Sequence, residues 1–396
     1  MNAVRHSTVL DSRAARTEPR APLREAYPAA DRLTLPPARW LADRAVGAMR
    51  SGSVLVHAPS AAFQAPGGGE NQLVQTAMHL ERLGVEVRPF SPWVDRLLDA
   101  RLLHVFGMSR EGLELARVAK AKGVPVVLSP ICWVEPRAIA ALAPSGVRKA
   151  IDLAKWAAMV VAPRRPGWRR ELLELADAIL PNSHAEARQL VRLFGADPAR
   201  IHVVPNGVEP RFASADPGAF RAMLGERDYI LYVGRVEPRK NPLQVIRAAR
   251  RLNQPVVMIG DFVPGHEAYA ESCRDEGQGI LTWLPRLEHD DPLLASAYAA
   301  ARVFALPSWF ETPGLAALEA ALSGCAVVIT PFGCTREYFD DRVAYARPDR
   351  PREIASAIAQ AWEHGPDPGL AGHIHRQYLW TDVADKVAEV YDQVAR

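Results

Sequence analysis

The stretch VFALPSWFETPGLAALEAALSGCAVVITPFG, residues 303–333, reads as a strand, a loop, a helix and a second strand. Its two apolar runs, VFALPS at 303–308 and CAVVITPFG at 325–333, are continuous rather than alternating, the pattern of strands covered on both faces. Strands separated by helices in this way build a parallel sheet, whose ligands gather at the carboxyl ends of the strands. Glu311 stands in the loop and Glu319 in the helix. Thr312 is placed to cap that helix with Pro313 at its first position, leaving early backbone N–H groups free for an anion. Glu319 would then lie about two turns in. A carboxylate only accepts hydrogen bonds, so the pair suits sugar or ribose hydroxyls better than a phosphate. The competing reading makes Glu311 a charge favoured by the helix dipole and Glu319 a solvated side chain.

The alternation extends in both directions. YILYVGR at 229–235, PVVMIGD at 255–261 and ILTWLP at 280–285 are further strand candidates in the same half. Upstream, VLVHA, LLHVF at 102–106, PVVLSP at 125–130 and AILPNS at 178–183 alternate with the helical NQLVQTAMHLERLG and SREGLELARVAKAKG. Two successive α/β domains follow, 51–206 and 207–378, meeting within IHVVPNGVEP at 201–210 and enclosing a ligand crevice. The segment WTDVADKVAEVYDQV reads as a C-terminal helix within 379–396. Residues 1–50 mix Arg, Ala and Pro without a long apolar run and are expected to form a partly ordered extension. Asp11, Glu18 and Glu25 argue against an organellar targeting peptide there.

Bulk properties narrow the class. A chain of 396 residues exceeds one ordinary core, and 48% hydrophobic with 23% charged residues is a globular composition. A net charge of +3, with a pI of about 8.7, is too mild to indicate a nucleic-acid partner, and the basic residues build no recognised nucleic-acid-binding motif. No apolar run reaches bilayer-spanning length. Cys132, Cys273, Cys325 and Cys334 have neither metal-ligand spacing nor a dense disulfide pattern, so a reducing compartment fits; no metal-ligand constellation stands out, and neither metal nor cofactor is expected.

Two other segments can carry chemistry. In YVGRVEPRKNP the strand ends at Gly234, Arg235 follows, and Lys240 comes at the start of the next helix; two cations at such a crossover can neutralise a diphosphate. A solvated ion-pair set with Glu237 and Arg239 is the alternative. In APGGGENQLVQ, Gly67, Gly68 and Gly69 precede a helix that Glu70 and Asn71 can cap. Successive glycines permit close backbone approach and unusual dihedrals, although a surface turn would use them too. They match neither the dinucleotide fingerprint nor a phosphate loop.

The ordered combination GRVEPRKNP, VVPNGVEP and ETPGLAALEAALSG resembles the retaining glycosyltransferases of family 4, over most of residues 52–396. The resemblance implies a GT-B fold: two facing Rossmann-like α/β domains with the ligand cleft between them, and a C-terminal helix crossing back to the first. It implies a nucleotide-sugar donor held mainly by the second domain, with Arg235 and Lys240 on the diphosphate. Glu311 would bind the transferred sugar, aided by backbone around Thr312, Gly314 and Leu315. Glu319 would bind the ribose, Gly68 and Gly69 would approach the phosphates, and Leu284 and Leu287 would flank the base unless they serve only sheet packing. Arg235, Lys240 and Glu311 are the catalytic candidates of a retaining hexosyltransferase.

The acceptor expected from the resemblance is a glycan or lipid-linked glycan, as in polysaccharide or lipopolysaccharide biosynthesis. A small-molecule acceptor and a catalytically silent nucleotide-sugar-binding protein are the alternatives. Where many members carry a histidine after the strand matching PVVLSP, this chain has Cys132 and Trp133. His104 is read as structural rather than facing the cleft, and His184 as a helix-start residue. Trp156, Met159, Val160 and Trp168, near Arg164, Arg165, Arg169 and Arg170, have the composition of a surface that meets an anionic membrane, though core helices with a solvated basic loop would look the same. A cytoplasmic protein touching the inner membrane face is the corresponding expectation.

Overall fold

A computed structural model describes residues 52–64, 66–225 and 227–395. The extension expected over 1–50 lies outside the described residues. Among those described, one parallel sheet comprises β1 (Val54–His57), β2 (Val87–Pro89), β3 (Leu102–Phe106), β4 (Val126–Ser129) and β5 (Ala178–Ile179), ordered β2-β1-β3-β4-β5. The other comprises β6 (Ile230–Val233), β7 (Val256–Ile259), β8 (Leu281–Leu284), β9 (Val303–Leu306), β10 (Ala326–Ile329) and β11 (Ala344–Tyr345). Its order, β11-β10-β9-β6-β7-β8, reverses direction between β6 and β9. The first sheet reverses between β1 and β3, and loops leaving such switch points form the crevices that hold ligands. The short strands β2 and β11 carry too few residues to produce a visible apolar run.

The first sheet is buried on both faces, which explains its continuous hydrophobic strands. Val54, Val56, Leu102, Phe106 and Val127 enter one apolar layer, while Leu55, Leu103, Val105, Val126 and Leu128 enter the other. The first layer is completed by the helix Trp380–Val394 at the far end of the chain. Its buried residues Trp380, Val383, Ala384, Val387, Val390 and Tyr391 recur at helical spacing against this layer. Each large side chain so buried is worth roughly 1.5–3 kcal/mol.

Two crossings run side by side between the domains. Val204 belongs to the first core and Val208 to the second. The Val208 amide donates to the Tyr378 carbonyl at 2.7 Å, and the Trp380 amide donates to the Val208 carbonyl at 3.4 Å. Gly207 permits this approach, since a Cβ there would stand 2.7 Å from the Trp380 nitrogen.

His104 is structural, as the sequence reading favours. It is fully buried, with Nδ1 2.6 Å from the Tyr391 hydroxyl and Nε2 2.9 Å from Ser129 Oγ. It thereby ties β3 to the C-terminal helix. Burial lowers its pKa to about 3 from 6.5. The folded state thus disfavours the proton that the unfolded chain takes up near pH 6.5. This stability is complete above pH 6.5 and declines by about 1.4 kcal/mol per pH unit as pH falls toward 3. Denaturant titrations should show the wild type losing roughly 2 kcal/mol more than His104→Gln between pH 6.5 and 5. Parallel pH profiles for the two proteins would contradict this assignment.

Candidate active site

Adjacent strands β6 and β9 end at the second domain's switch point and bring Lys240 to Glu311. Lys240 Nζ donates to Glu311 Oε1 at 2.6 Å, with the two side chains only 17% and 5% exposed. Burial alone would raise the Glu311 pKa, but Lys240, Arg239 and Ser308 outweigh it and hold the carboxyl below its ordinary value. Burial lowers the Lys240 pKa, with Arg239 and Arg235 adding to the effect and Glu311 opposing it. The crossover loop is fixed independently. Asn241 Nδ2 donates to the Pro307 and Pro348 carbonyls at 3.1 and 3.2 Å, and the Trp309 amide donates to the Arg239 carbonyl at 2.9 Å.

Glu311 is held by its backbone as well. Its amide donates to the Phe332 carbonyl at 3.1 Å, and its carbonyl accepts from the Cys334 amide at 2.8 Å. Gly333, between those partners, has φ of +97°, and a Cβ there would stand 1.9 Å from the Glu311 oxygen. No side chain fits at that position.

The helix after Glu311 starts later than the sequence reading places it. It spans Leu315–Leu322 with Gly314 as N-cap at φ of 90°, and the Thr312–Pro313 peptide is cis. Thr312 is therefore not the cap, Pro313 is not the first helical residue, and Glu319 lies little more than one turn in. The left-handed turn at Gly314 is the physical reason, because it reorients the chain immediately before the helix. The amides of Leu315 and Ala316 have no partner among the described residues.

Glu319 is buried, against the solvated alternative. Its Oε1 is 3.1 Å from His289 Nε2, and its Oε2 accepts from the Tyr298 hydroxyl at 2.7 Å. Burial alone would raise its pKa, but the His289 and Tyr298 contacts and nearby Arg211 bring it below the ordinary value. His289 Nδ1 lies 3.3 Å from Gln75 Nε2 of the first domain, and the His289 carbonyl accepts from Arg211. These partners escape sequence reading because a lone histidine in RLEHDD, or a tyrosine in an apolar helix, carries no periodic signal.

Across the cleft, the glycine turn faces Arg235 and Leu315. A Cβ on Gly67 would stand 3.7 Å from Arg235 Cζ, and one on Gly68 would stand 3.9 Å from Leu315 Cδ1. None of Gly67, Gly68 and Gly69 has a positive φ, and a Cβ on each would meet only ordinary van der Waals contacts, so neither an unusual dihedral nor close protein packing requires glycine there. Glu70 accepts from the Gly67 amide at 2.7 Å, the N3 half of a capping arrangement on the helix Gly68–Arg82 whose other half Gly67, without a side chain, cannot supply. Arg235 is 39% exposed and shares Glu237 with Arg239, at 3.3 and 3.0 Å. The ion-pair set is therefore present beside the exposed cation. Leu284 is buried in the second core and Leu287 is half-buried against it, so both side chains pack with the sheet.

In the loop after β4, Ile131 approaches the glycine turn, with Cδ1 3.6 Å from the Cβ position of Gly69. Burial pushes the Cys132 thiol up to about 12, which disfavours the nucleophilic thiolate. Trp133 packs against the second domain's core. The loop hangs on the helix His184–Phe194 through Glu186, which accepts from the Cys132 amide at 2.7 Å, and Gln189, which accepts from the Val134 amide at 2.6 Å. His184 opens that helix, consistent with a helix-start role.

The chain matches the family "Glycosyl transferases group 1" over residues 227–364 and "Glycosyltransferase Family 4" over 99–212. A D-inositol 3-phosphate glycosyltransferase of Kribbella flavida is 38% identical over 43% of this chain and 44% of the relative. One of Mycobacterium tuberculosis is 35% identical over 43% and 37%. The matches thus span less than half the length of these curated relatives. Among solved structures, sucrose-phosphate synthase from Thermosynechococcus elongatus aligns with a TM-score of 0.69 at 18% identity, covering 87% of this chain and 99% of that one. Anabaena HepE in complex with UDP-glucose aligns with a TM-score of 0.64 at 17% identity, covering 86% and 99%. The two family models and the GT-B architecture together support a family 4-like glycosyltransferase.

The buried ion pair sets a stability test. Lys240→Met leaves Glu311 charged and unpaired and should cost about 3–5 kcal/mol, whereas Lys240→Met with Glu311→Leu should recover most of it. A double-mutant cycle in denaturant reads the coupling; additive losses would show that the two charges do not depend on each other.

Proposed function

We propose that the chain transfers a hexose from a nucleoside-diphosphate sugar with retention of anomeric configuration. The observation that supports this best is the division between the two buried carboxylates. Glu311 pairs with a cation beside the diphosphate candidate Arg235, while Glu319 sits in a separate polar nest of His289 and Tyr298. Glu311 would accept from hydroxyls of the transferred sugar, and Glu319 from ribose hydroxyls, on the lone pairs its partners leave. The diphosphate would lie between the glycine turn and Arg235, near the unpartnered amides of Leu315 and Ala316. Backbone atoms near Leu284 and Leu287 would flank the base.

In the proposed step the acceptor oxygen attacks the anomeric carbon on the face that the diphosphate leaves. The bond from that carbon to the phosphate oxygen breaks, and the acceptor's proton passes to a phosphate oxygen. Arg235 and Lys240 stabilise the charge developing on the leaving diphosphate. Glu311 positions the sugar and forms no covalent bond. Closure of the two domains excludes water.

For the acceptor we propose a glycan or lipid-linked glycan, delivered at an anionic membrane. The residues first considered for that contact turn partly inward: Met159, Val160 and Trp168 pack against the first domain's core. The helix Gly146–Val161 instead exposes Val147 at 73%, Ile151 at 46% and Val161 at 84%, beside Arg148, Lys149 and Lys155. The name of the curated relatives favours a second reading, a small phosphorylated polyol as acceptor.

Incubation with UDP-, GDP- and ADP-sugars and both acceptor classes, read by nucleotide release and product mass, tests the reading. Arg235→Ala and Lys240→Ala should each lower turnover on the order of 10²–10³-fold. Glu319→Ala should chiefly raise the donor KM. Unchanged kinetics in all three would overturn the site, and an inverted product by NMR would overturn the stereochemistry. Anionic vesicles at low salt should retain the wild type and release Ile151→Asp/Val161→Asp; equal retention would remove the membrane contact.

A further inference from the structure

The turn Thr335–Phe339, just beyond Gly333, grips the first domain with three consecutive kinds of contact. Glu337 accepts from the His184 amide at 2.6 Å through one oxygen and from the Ala185 amide at 3.0 Å through the other. These are the first two amides of the helix His184–Phe194, which have no partner within the helix, at the positive end of its dipole. A carboxylate from the second domain therefore completes a helix of the first. The Tyr338 hydroxyl donates to the Asn182 carbonyl at 2.5 Å and accepts from the Asn206 amide at 2.9 Å. Ser183 Oγ donates to Cys334 Sγ at 2.9 Å.

The same segment carries Glu311. Cys334 receives Ser183 of the first domain on its sulfur and donates its amide to the Glu311 carbonyl, so one residue separates the domain contact from the sugar-site backbone. Both crossings between the domains also reach the turn, through Asn206 on Tyr338 and through the Tyr378 hydroxyl, which donates to the Glu337 carbonyl at 3.0 Å.

We propose that Glu337 is a positioning residue: its grip on the amides of His184 and Ala185 transmits the docking of the first domain, through Cys334, to the placement of Glu311. The role of Glu311 rests on the donor reading above; the coupling itself does not. Loss of the grip would leave the nucleotide half of the site intact and misplace the sugar half.

The test uses the full chain with Glu337→Ala and Glu337→Gln. UDP binding, steady-state kinetics on the active donor, and hydrogen exchange in peptides covering 182–190 and 306–316 are measured. Expected for Glu337→Ala are at least tenfold faster exchange in both peptides, kcat lowered at least tenfold, and a Kd for UDP within threefold of wild type. Glu337→Gln, which keeps one acceptor, should fall between. Faster exchange confined to 182–190 would overturn the coupling, as would unchanged kcat, or UDP affinity falling in step with kcat as in general destabilisation. Should Glu337→Ala fail to fold, Glu337→Gln carries the same comparison. If the wild type turns over none of the donors, that counts against the donor reading, and exchange at 306–316 still decides the coupling.

Discussion

Burial of the Lys240–Glu311 ion pair is the constraint around which the second domain is arranged. Removing two charges from water costs several kcal/mol for each, and their attraction repays that only when geometry is held and remaining hydrogen-bonding capacity is met. The surroundings meet both conditions. Asn241 clamps the loops leading to both charges, Ser308 lies beside Glu311, and the Glu311 backbone is bonded on both sides of Gly333. A glycine is obligatory at 333 because the carbonyl of Glu311 occupies the space of its Cβ.

The parallel sheet makes this arrangement available. Strands β6 and β9 are neighbours although 69 residues lie between Val233, the end of β6, and Val303, the start of β9, and their carboxyl ends open to the same side. A cation supplied by one loop and an anion supplied by the other meet without either loop folding back on itself. The second carboxylate answers the same demand differently. Glu319 draws on a neutral partner, Tyr298, and on His289, whose other nitrogen meets Gln75 of the first domain. One carboxylate is thus locked within its domain, while the other is linked to the domain opposite.

The joint between the domains is equally specific. Gly207 lets the two crossings touch, and the C-terminal helix returns to complete a core layer begun by β1 and β3. His104 and Tyr391, 287 positions apart, meet in that layer. Glu337 supplies a carboxylate to the first two amides of a first-domain helix, whose own first-turn acid, Glu186, is taken up by the Cys132 and Asn182 amides.

The order of strands and helices in the larger elements was legible in the sequence because both-face burial writes continuous apolar runs that need no knowledge of neighbours. Arg235, Lys240 and Glu311 were legible as candidates because they follow such runs, and Glu319 because it is the one charge in an otherwise apolar helix. Tertiary structure alone decided their environment. It moved the helix start from Pro313 to Leu315, because Gly314 takes a left-handed turn, and it buried Glu319 with His289 and Tyr298. It turned Met159, Val160 and Trp168 toward a core and left Val147, Ile151 and Val161 outside. Composition and spacing identify which residues can ionise or pack, but burial and partners depend on segments distant in the chain, and those determine which residues do.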